Sequence, residues 1–418
     1  MRRIPIRNLH AGLVLPKPLY DSKNVLLLAP GKKLTQDMVA ALQNMGEGFA
    51  FLGELGSRMG DGRSLAALKD EAERASRDLK EEFDRILTAQ NLDCRPSGPP
   101  MRETIGGGRR GPRKPEELAE IRTAIDDADS LVEEISGGWI HQDDVAGAAL
   151  ATAEKFAGLF AADPSLAALM AQAKRPGGYL HSHSVNVSLL SMQIAATMGY
   201  GRSQVVEAGL AALVQDLGMT MVPDPVAQKP ARLTAVEMID IQKHTYQGAY
   251  LIERFRGLPI IPRFVAMQCH ERNDGSGYPR RRPKHLIHIF ARIVAVADAY
   301  DSLITDRPWR PAQRPYRAME SLIKWAHEGK FDADAVKGLL GVLSLYPIGT
   351  CVRLNTGETG RVVHANGRQF ARPGITILFD AQGQLCSESI YRDLGTLPDV
   401  AVESVVESPP PIGAMAGF

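Results

Sequence analysis

The sequence predicts a mainly α protein, with one all-helical domain set between a small N-terminal module that contains strands and a small C-terminal β module. Three observations carry this. From Glu116 to about Leu345 apolar residues recur with the 3.6-residue period of a helix, and few stretches alternate. Before about residue 55, short apolar runs such as Val25–Ala29 and Phe49–Leu52 are separated by turn signals such as Pro30-Gly31. After Tyr346-Pro347 the pattern becomes alternation and turns, as in Gly374–Phe379 and Ala381-Gln382-Gly383.

Taken in order, residues 1–55 read as the strand-rich or mixed module. Residues 56–115 divide into a charged helical arm, Leu65 to about Leu87, and a segment carrying Pro96, Pro99, Pro100, Gly106-Gly107-Gly108 and Arg109, Arg110, Arg113 and Lys114. Such a composition cannot offset its ordering entropy by burial, so it predicts a flexible linker. The thin apolar stripe of the arm suits either a solvated helix or a homodimer contact. Residues 116–345 form the helical domain, residues 346–397 the β module, and residues 398–418, with Pro409-Pro410-Pro411, a flexible tail.

Composition sets outer bounds. With 418 residues and 44% hydrophobic content, the chain can bury at least one large core. A net charge of +1 argues against a chain that binds DNA as a whole. Cys94, Cys269, Cys351 and Cys386 show no paired spacing, so no disulfide framework is expected. Met1-Arg2-Arg3 opens no signal-like apolar run, and no stretch approaches the roughly 20 apolar residues of a membrane span. A cytoplasmic protein is the expectation.

Chemistry concentrates in the helical domain. Cys269-His270-Glu271 closes an apolar helix and runs into Asp274-Gly275-Ser276-Gly277-Tyr278-Pro279. His183 sits one face with Val187, Leu190 and Ile194, pointing inward, where a histidine is more often a satisfied core residue than a ligand. Asp216 follows Leu210–Val214 just before Gly218, a C′ position by its place, where the negative end of the helix dipole disfavours a carboxylate unless a cation is near. His244 has Gly248 one turn on, which leaves room beside its ring. Asp298 and Asp301 are spaced i,i+3 on an apolar helix, a like-charge pair that a metal or the nearby Arg307 and Arg310 would relieve.

Over roughly residues 175–345 this order of motifs resembles the HD-GYP branch of the HD phosphohydrolases: His183-Ser184-Val185-Asn186-Val187, Gln215-Asp216, His244, Cys269-His270-Glu271, the Asp-Gly-x-Gly-Tyr-Pro loop, Asp298-x-x-Asp301 and Asp306-Arg307-Pro308-Trp309-Arg310. The resemblance implies an HD-type helical bundle. It also implies two or three iron or manganese ions that hydrolyse a phosphodiester of cyclic di-GMP, bridged by Asp216, the candidate catalytic residue. His183, Asp216 and Asp298 would surround one ion, and Asp216, His244 and His270 the other. Asp301, Arg307 and Arg310 would meet the substrate.

Three positions depart from the family pattern. Gln215 replaces a ligand histidine, Cys269 replaces another, and Met219 stands where a lysine is usual. An amide oxygen is a poor transition-metal ligand, whereas a Cys269 thiolate would favour zinc or ferrous iron. These changes predict fewer ions than the family holds. They also predict a protein that binds cyclic di-GMP or a related nucleotide, or protein partners through the Gly-Tyr-Pro loop, with weak or no phosphodiesterase activity. The alternative is an active metal-dependent phosphodiesterase yielding linear dinucleotide or GMP.

Overall fold

The computed structural model describes residues 2–5, 9, 19–20, 26–28, 33–44, 49–52, 96–97, 99–101, 115–137, 142–162, 179–307, 310–364, 366 and 369–406. The predicted arm from Leu65 to Leu87, most of the predicted linker and the end of the predicted tail lie outside the described residues. The N-terminal apolar runs supply strands, as their alternation with turn residues requires. β1 (Arg2–Pro5), β2 (Leu19–Tyr20), β3 (Leu26–Leu28) and β4 (Phe49–Leu52) make an antiparallel sheet of order β1-β4-β2-β3, and α1 (Gln36–Asn44) precedes β4.

The helical region runs through α2 (Pro115–Ser136), α3 (Gln142–Ala162), α4 (Tyr179–Thr197), α5 (Arg202–Val214), α6 (Asp224–Ala227), α7 (Ala235–Gln242), α8 (His244–Glu253), α9 (Ile261–Gln268), α10 (Ile289–Ile304), α11 (Pro315–His327) and α12 (Ala333–Leu343). α4 is the central helix and packs against α2, α5, α10 and α12. It is buried on every face from His183 to Ala195, with Ser184, Ser188 and Ser191 enclosed among its apolar residues. Val185, Val187, Leu189, Leu190, Met192 and Ile194 are fully buried, each contributing roughly 1.5–3 kcal/mol by leaving water. α10 is equally enclosed, with Phe290, Ile293, Val294 and Val296 in the same core.

The helix starts that aim the later side chains are individually capped. Thr234 and Glu237 form a reciprocal capping box at α7: the Glu237 backbone N–H donates to Thr234 Oγ1 at 3.3 Å, and the Thr234 N–H donates to Glu237 Oε2 at 2.8 Å. His288 caps α10 by accepting from the Phe290 N–H at 3.1 Å. Asp332 caps α12, accepting from Asp334 and Ala335 N–H, and takes a hydrogen bond from Arg292 at 2.6 Å that ties α12 to α10.

The C-terminal module is an antiparallel sheet of β5 (Cys351–Leu354), β6 (Thr359–His364), β7 (Gly374–Phe379), β8 (Leu385–Asp393) and β9 (Val402–Val405), in the order β8-β7-β6-β5-β9. Val352, Leu354, Val362, Ile375 and Ile377 form its separate core. β9 falls in the stretch expected to be a free tail. It pairs with β5 instead, Val352 opposite Val405, because Val402 and Val405 pack against the module's core. Among the described residues no helix is long and apolar enough to cross a membrane.

Candidate metal centre

Four helices and one short turn deliver the polar side chains to a single point. α5 ends at Val214, Gln215 continues the helical backbone, and Asp216 leads into a 3-10 turn, Leu217–Met221. That turn presses against the first turn of α8. A Cβ on Gly218 would lie 1.9 Å from the His244 carbonyl oxygen and 2.5 Å from the Gly248 nitrogen, so only glycine permits the approach. Gly218 is therefore a close-approach residue, not the C′ glycine its place suggested, and the room left by Gly248 is taken by the Gly218 backbone. The crossing sets Asp216 facing His244.

The resulting geometry has Asp216 at its centre. Its Oδ1 lies 3.6 Å from His244 Nε2 and 3.8 Å from His270 Nε2, and its Oδ2 lies 3.5 Å from His183 Nε2. Asp298 completes the cluster, with Oδ1 at 3.0 Å from His183 Nε2 and Oδ2 at 3.7 Å from His270 Nδ1. Ligand-type atoms within 4.8 Å of one another form two triads that share Asp216: Asp216, His244 and His270, and His183, Asp216 and Asp298.

The tautomers follow from the partners behind each ring. His244 Nδ1 lies 2.6 Å from the Ile241 carbonyl, which can only accept, so Nδ1 carries the hydrogen and Nε2 turns a lone pair inward. His183 Nδ1 lies 2.6 Å from Asp301 Oδ2, and Asp301 Oδ1 accepts from Asn186 Nδ2 at 2.8 Å. This is the outer-shell carboxylate arrangement that fixes a ligating imidazole.

Charge in the cluster is set by burial opposed by neighbours. Burial disfavours the charged form of Asp216, yet the facing rings of His270, His244 and His183 hold its carboxyl well below the usual range. Burial likewise works against a charged His183, but hydrogen bonds to Asp298 and Asp301 outweigh it and raise the pKa to about 9. Burial and the charge of His270 lower that of His244 to about 4, leaving a neutral ring. Asp298 is held low by His183 against its burial.

These residues fit a bound cation. Asp216 Oδ1, His244 Nε2 and His270 Nε2 are buried, lack hydrogen-bond partners and face one another at distances too long for a hydrogen bond. Buried polar atoms are almost always paired, so three convergent unpaired atoms make a site of the kind that imidazole and carboxylate provide for iron, manganese or zinc.

The Gly-Tyr-Pro loop walls one side. Tyr278 stacks on His270 with ring centroids 4.9 Å apart and meets His244 edge-on at 6.3 Å. Glu271 staples the loop from beneath, accepting from the Arg280 N–H at 2.7 Å and the Arg282 N–H at 2.9 Å, while burial raises its pKa. A Cβ on Gly277 would stand 2.4 Å from both Arg272 N and His270 O. Gly275 adopts φ +78°, and exposed Asp274 caps the turn by accepting from Ser276 N–H and Oγ. The Tyr278–Pro279 peptide bond is cis.

Other expected residues lie at different distances from this point. Asp301 is 1% exposed and sits behind His183, a placement that differs from the substrate contact implied by the resemblance. Arg307 donates to Ser302 Oγ at 3.0 Å, Ser302 Oγ donates to Asp298 Oδ1 at 3.4 Å, and Arg310 donates to the Ser302 carbonyl. Both arginines are thus gathered at the end of α10 beside Asp298. Cys269 is fully buried, its thiol directed at the Ala266 carbonyl at 3.8 Å and its pKa raised by burial; among the described residues it joins neither triad. Gln215 is fully buried with both amide atoms unpaired, and Met219 is half-buried. Asn186 and Ser302 were not anticipated. Their signal was present in spacing, since Asn186 is one turn from His183 and Ser302 one turn from Asp298.

Residues 164–335 match the HD domain family, and residues 351–408 match the KOW domain associated with HD domains. The chain is 32% identical over 232 residues to the cyclic di-GMP phosphodiesterase PA4108 of Pseudomonas aeruginosa, covering 56% of this chain and 56% of that protein. It is 37% identical over 147 residues to a cyclic di-GMP phosphodiesterase of Thermotoga maritima, covering 34% of this chain and 40% of that protein. It is 29% identical over 171 residues to the 3'3'-cGAMP-specific phosphodiesterase 1 of Vibrio cholerae, covering 41% and 39%. The chain thus spans about half or less of the length of these relatives.

Proposed function

From an HD domain whose relatives are cyclic dinucleotide phosphodiesterases, we propose that this chain is an active metal-dependent phosphodiesterase that opens cyclic di-GMP, or a close relative such as 3'3'-cGAMP, to the linear dinucleotide or GMP. One observation carries the reading: Asp216 stands between two ligand triads, its Oδ1 unpaired toward His244 and His270 and its Oδ2 toward His183. His183, Asp216 and Asp298 would hold one ion, and Asp216, His244 and His270 the other. Iron or manganese suits this donor set. A bound pair would supply Lewis-acid polarisation of a phosphoryl oxygen and an acidified water as nucleophile.

The remaining roles belong to the chain. Asp301 and Ile241 hold the His183 and His244 rings in ligating orientation. Tyr278 shields one face of the cluster. Arg307 and Arg310, placed beside Asp298, meet the phosphates of the substrate and offset charge that builds during hydrolysis.

A second reading is an effector that binds nucleotide with weak or no turnover. It is favoured by Gln215, Cys269 and Met219, which leave the cluster without two imidazoles and a lysine. Turnover separates the two. Anaerobic incubation of the iron- or manganese-loaded chain with cyclic di-GMP and with 3'3'-cGAMP, followed by chromatography, is expected to yield linear product that chelation abolishes. A loaded chain that binds cyclic dinucleotide and leaves it intact would establish the effector reading instead.

A further inference from the structure

A second cleft lies away from the metal centre, where the start of α11 meets β5 and β6. Its volume is about 490 Å³, and its lining includes Arg314, Arg317 and Arg361 with Ile348 and Val405 as apolar wall. No carboxylate is among the described residues that line it. The junction is fixed rather than open-hinged: Ser344 Oγ and the Leu345 N–H both donate to the Phe370 carbonyl, at 2.6 and 2.9 Å, and bind the end of α12 to the β module.

Three guanidinium groups from two separate elements around one concavity repel one another unless an anion shares it. Arg317 is partly offset by Glu320 at 2.9 Å and lies over the Tyr316 ring. Among the described residues, Arg314 and Arg361 have no ion-pair partner. The backbone adds donors of the same sense. Arg314 is the N-cap of α11 without a side-chain cap, and Ala318 is the first residue to bond back, to the Arg314 carbonyl at 3.1 Å. The N–H groups of Tyr316 and Arg317 therefore have no acceptor within the helix.

We infer that this junction cleft binds a nucleoside phosphate, with the phosphate between Arg314 and Arg361 at the start of α11 and the planar base against Ile348 and Val405. The volume falls in the range of roughly 300–1,000 Å³ typical of small-molecule sites, which favours a mononucleotide over a polymer. Arginine forks suit a phosphate better than a lone point charge would. The inference stands apart from the catalytic reading, since it uses none of the metal-site residues.

The test is equilibrium dialysis of the full chain against GMP, and separately guanosine, in buffer containing a chelator. One saturable GMP site is expected, with guanosine held weakly or not at all. Arg314→Ala and Arg361→Ala should each weaken GMP binding about tenfold. Arg353→Ala, an exposed arginine of β5 outside the cleft, should leave binding unchanged, as should Asp216→Ala. The inference is overturned by absence of saturable GMP binding, by binding indifferent to Arg314 and Arg361, by loss in Asp216→Ala, or by a short single-stranded RNA that binds more tightly than GMP. Unchanged melting of the two cleft variants ties their effect to the site.

Discussion

His183 Nδ1 lies 2.6 Å from Asp301 Oδ2 while its other ring nitrogen faces Asp298 at 3.0 Å and Asp216 at 3.5 Å. One imidazole thus has a carboxylate behind it and two before it. The rear carboxylate selects the tautomer; the front pair, with the ring, offers a cation three ligand atoms.

This geometry makes Asp301 a positioning residue. Asp301→Asn keeps its size but loses the charge that holds His183, and metal affinity should fall about 10–100-fold. Metal titration checks this. KM for cyclic di-GMP at saturating metal should stay near that of the wild type; a change confined to KM would restore Asp301 to substrate contact.

The same ring predicts a pH dependence for the chelated protein. In the fold His183 keeps its proton to about pH 9, against an ordinary value of 6.5. Its stabilising contribution is fully present below pH 6.5 and fades as pH rises through about 9. The melting temperature in chelator should decline across that window, and His183→Gln should flatten the decline. Metal affinity should rise over the same interval, because binding displaces the proton.

Glu271 and Gly277 hold the loop that carries Tyr278. Glu271→Gln weakens two backbone hydrogen bonds and should cost about 1–3 kcal/mol of stability. Gly277→Ala drives a methyl into His270 O and Arg272 N and should cost a similar amount, about 1–3 kcal/mol. Thermal melts and limited proteolysis between Asp274 and Arg282 measure both. Wild-type melting in both variants would mean that the loop is held elsewhere.

Gln215 is buried with an unpaired amide beside the ligand-bearing Asp216. Gln215→His should raise metal affinity by adding an imidazole at that position, and adding Met219→Lys and Cys269→His should raise turnover further. Metal titration and product chromatography of the single and triple variants decide; no gain in either would show that these positions no longer face the cluster.

This centre is legible in the sequence through the resemblance that its ordered motifs carry; helix period alone leaves His183 a core residue as readily as a ligand. Asp298 and Asp301 mark the limit of what local spacing determines. Their i,i+3 spacing placed both on one face, but could not say that His183 of α4 would insert between them, giving one carboxylate to each ring nitrogen. The resemblance makes Cys269 a possible ligand, and the direction of its thiol, toward the Ala266 carbonyl, depends on how the helix ends. Gly218 fits a helix end by local rules, but its reason lies in the crossing of another helix. In the β module, Pro409-Pro410-Pro411 drew attention from the valines of β9, whose pairing with β5 is nonlocal and leaves no mark in a short window.

The most direct test of the account is the metal content of the purified chain after anaerobic iron or manganese loading, beside that of Asp216→Ala. Because Asp216 belongs to both triads, two ions are expected in the wild type and essentially none in the variant, with turnover lost alongside the metal. Full metal retention in Asp216→Ala, or hydrolysis that persists without metal, would contradict it.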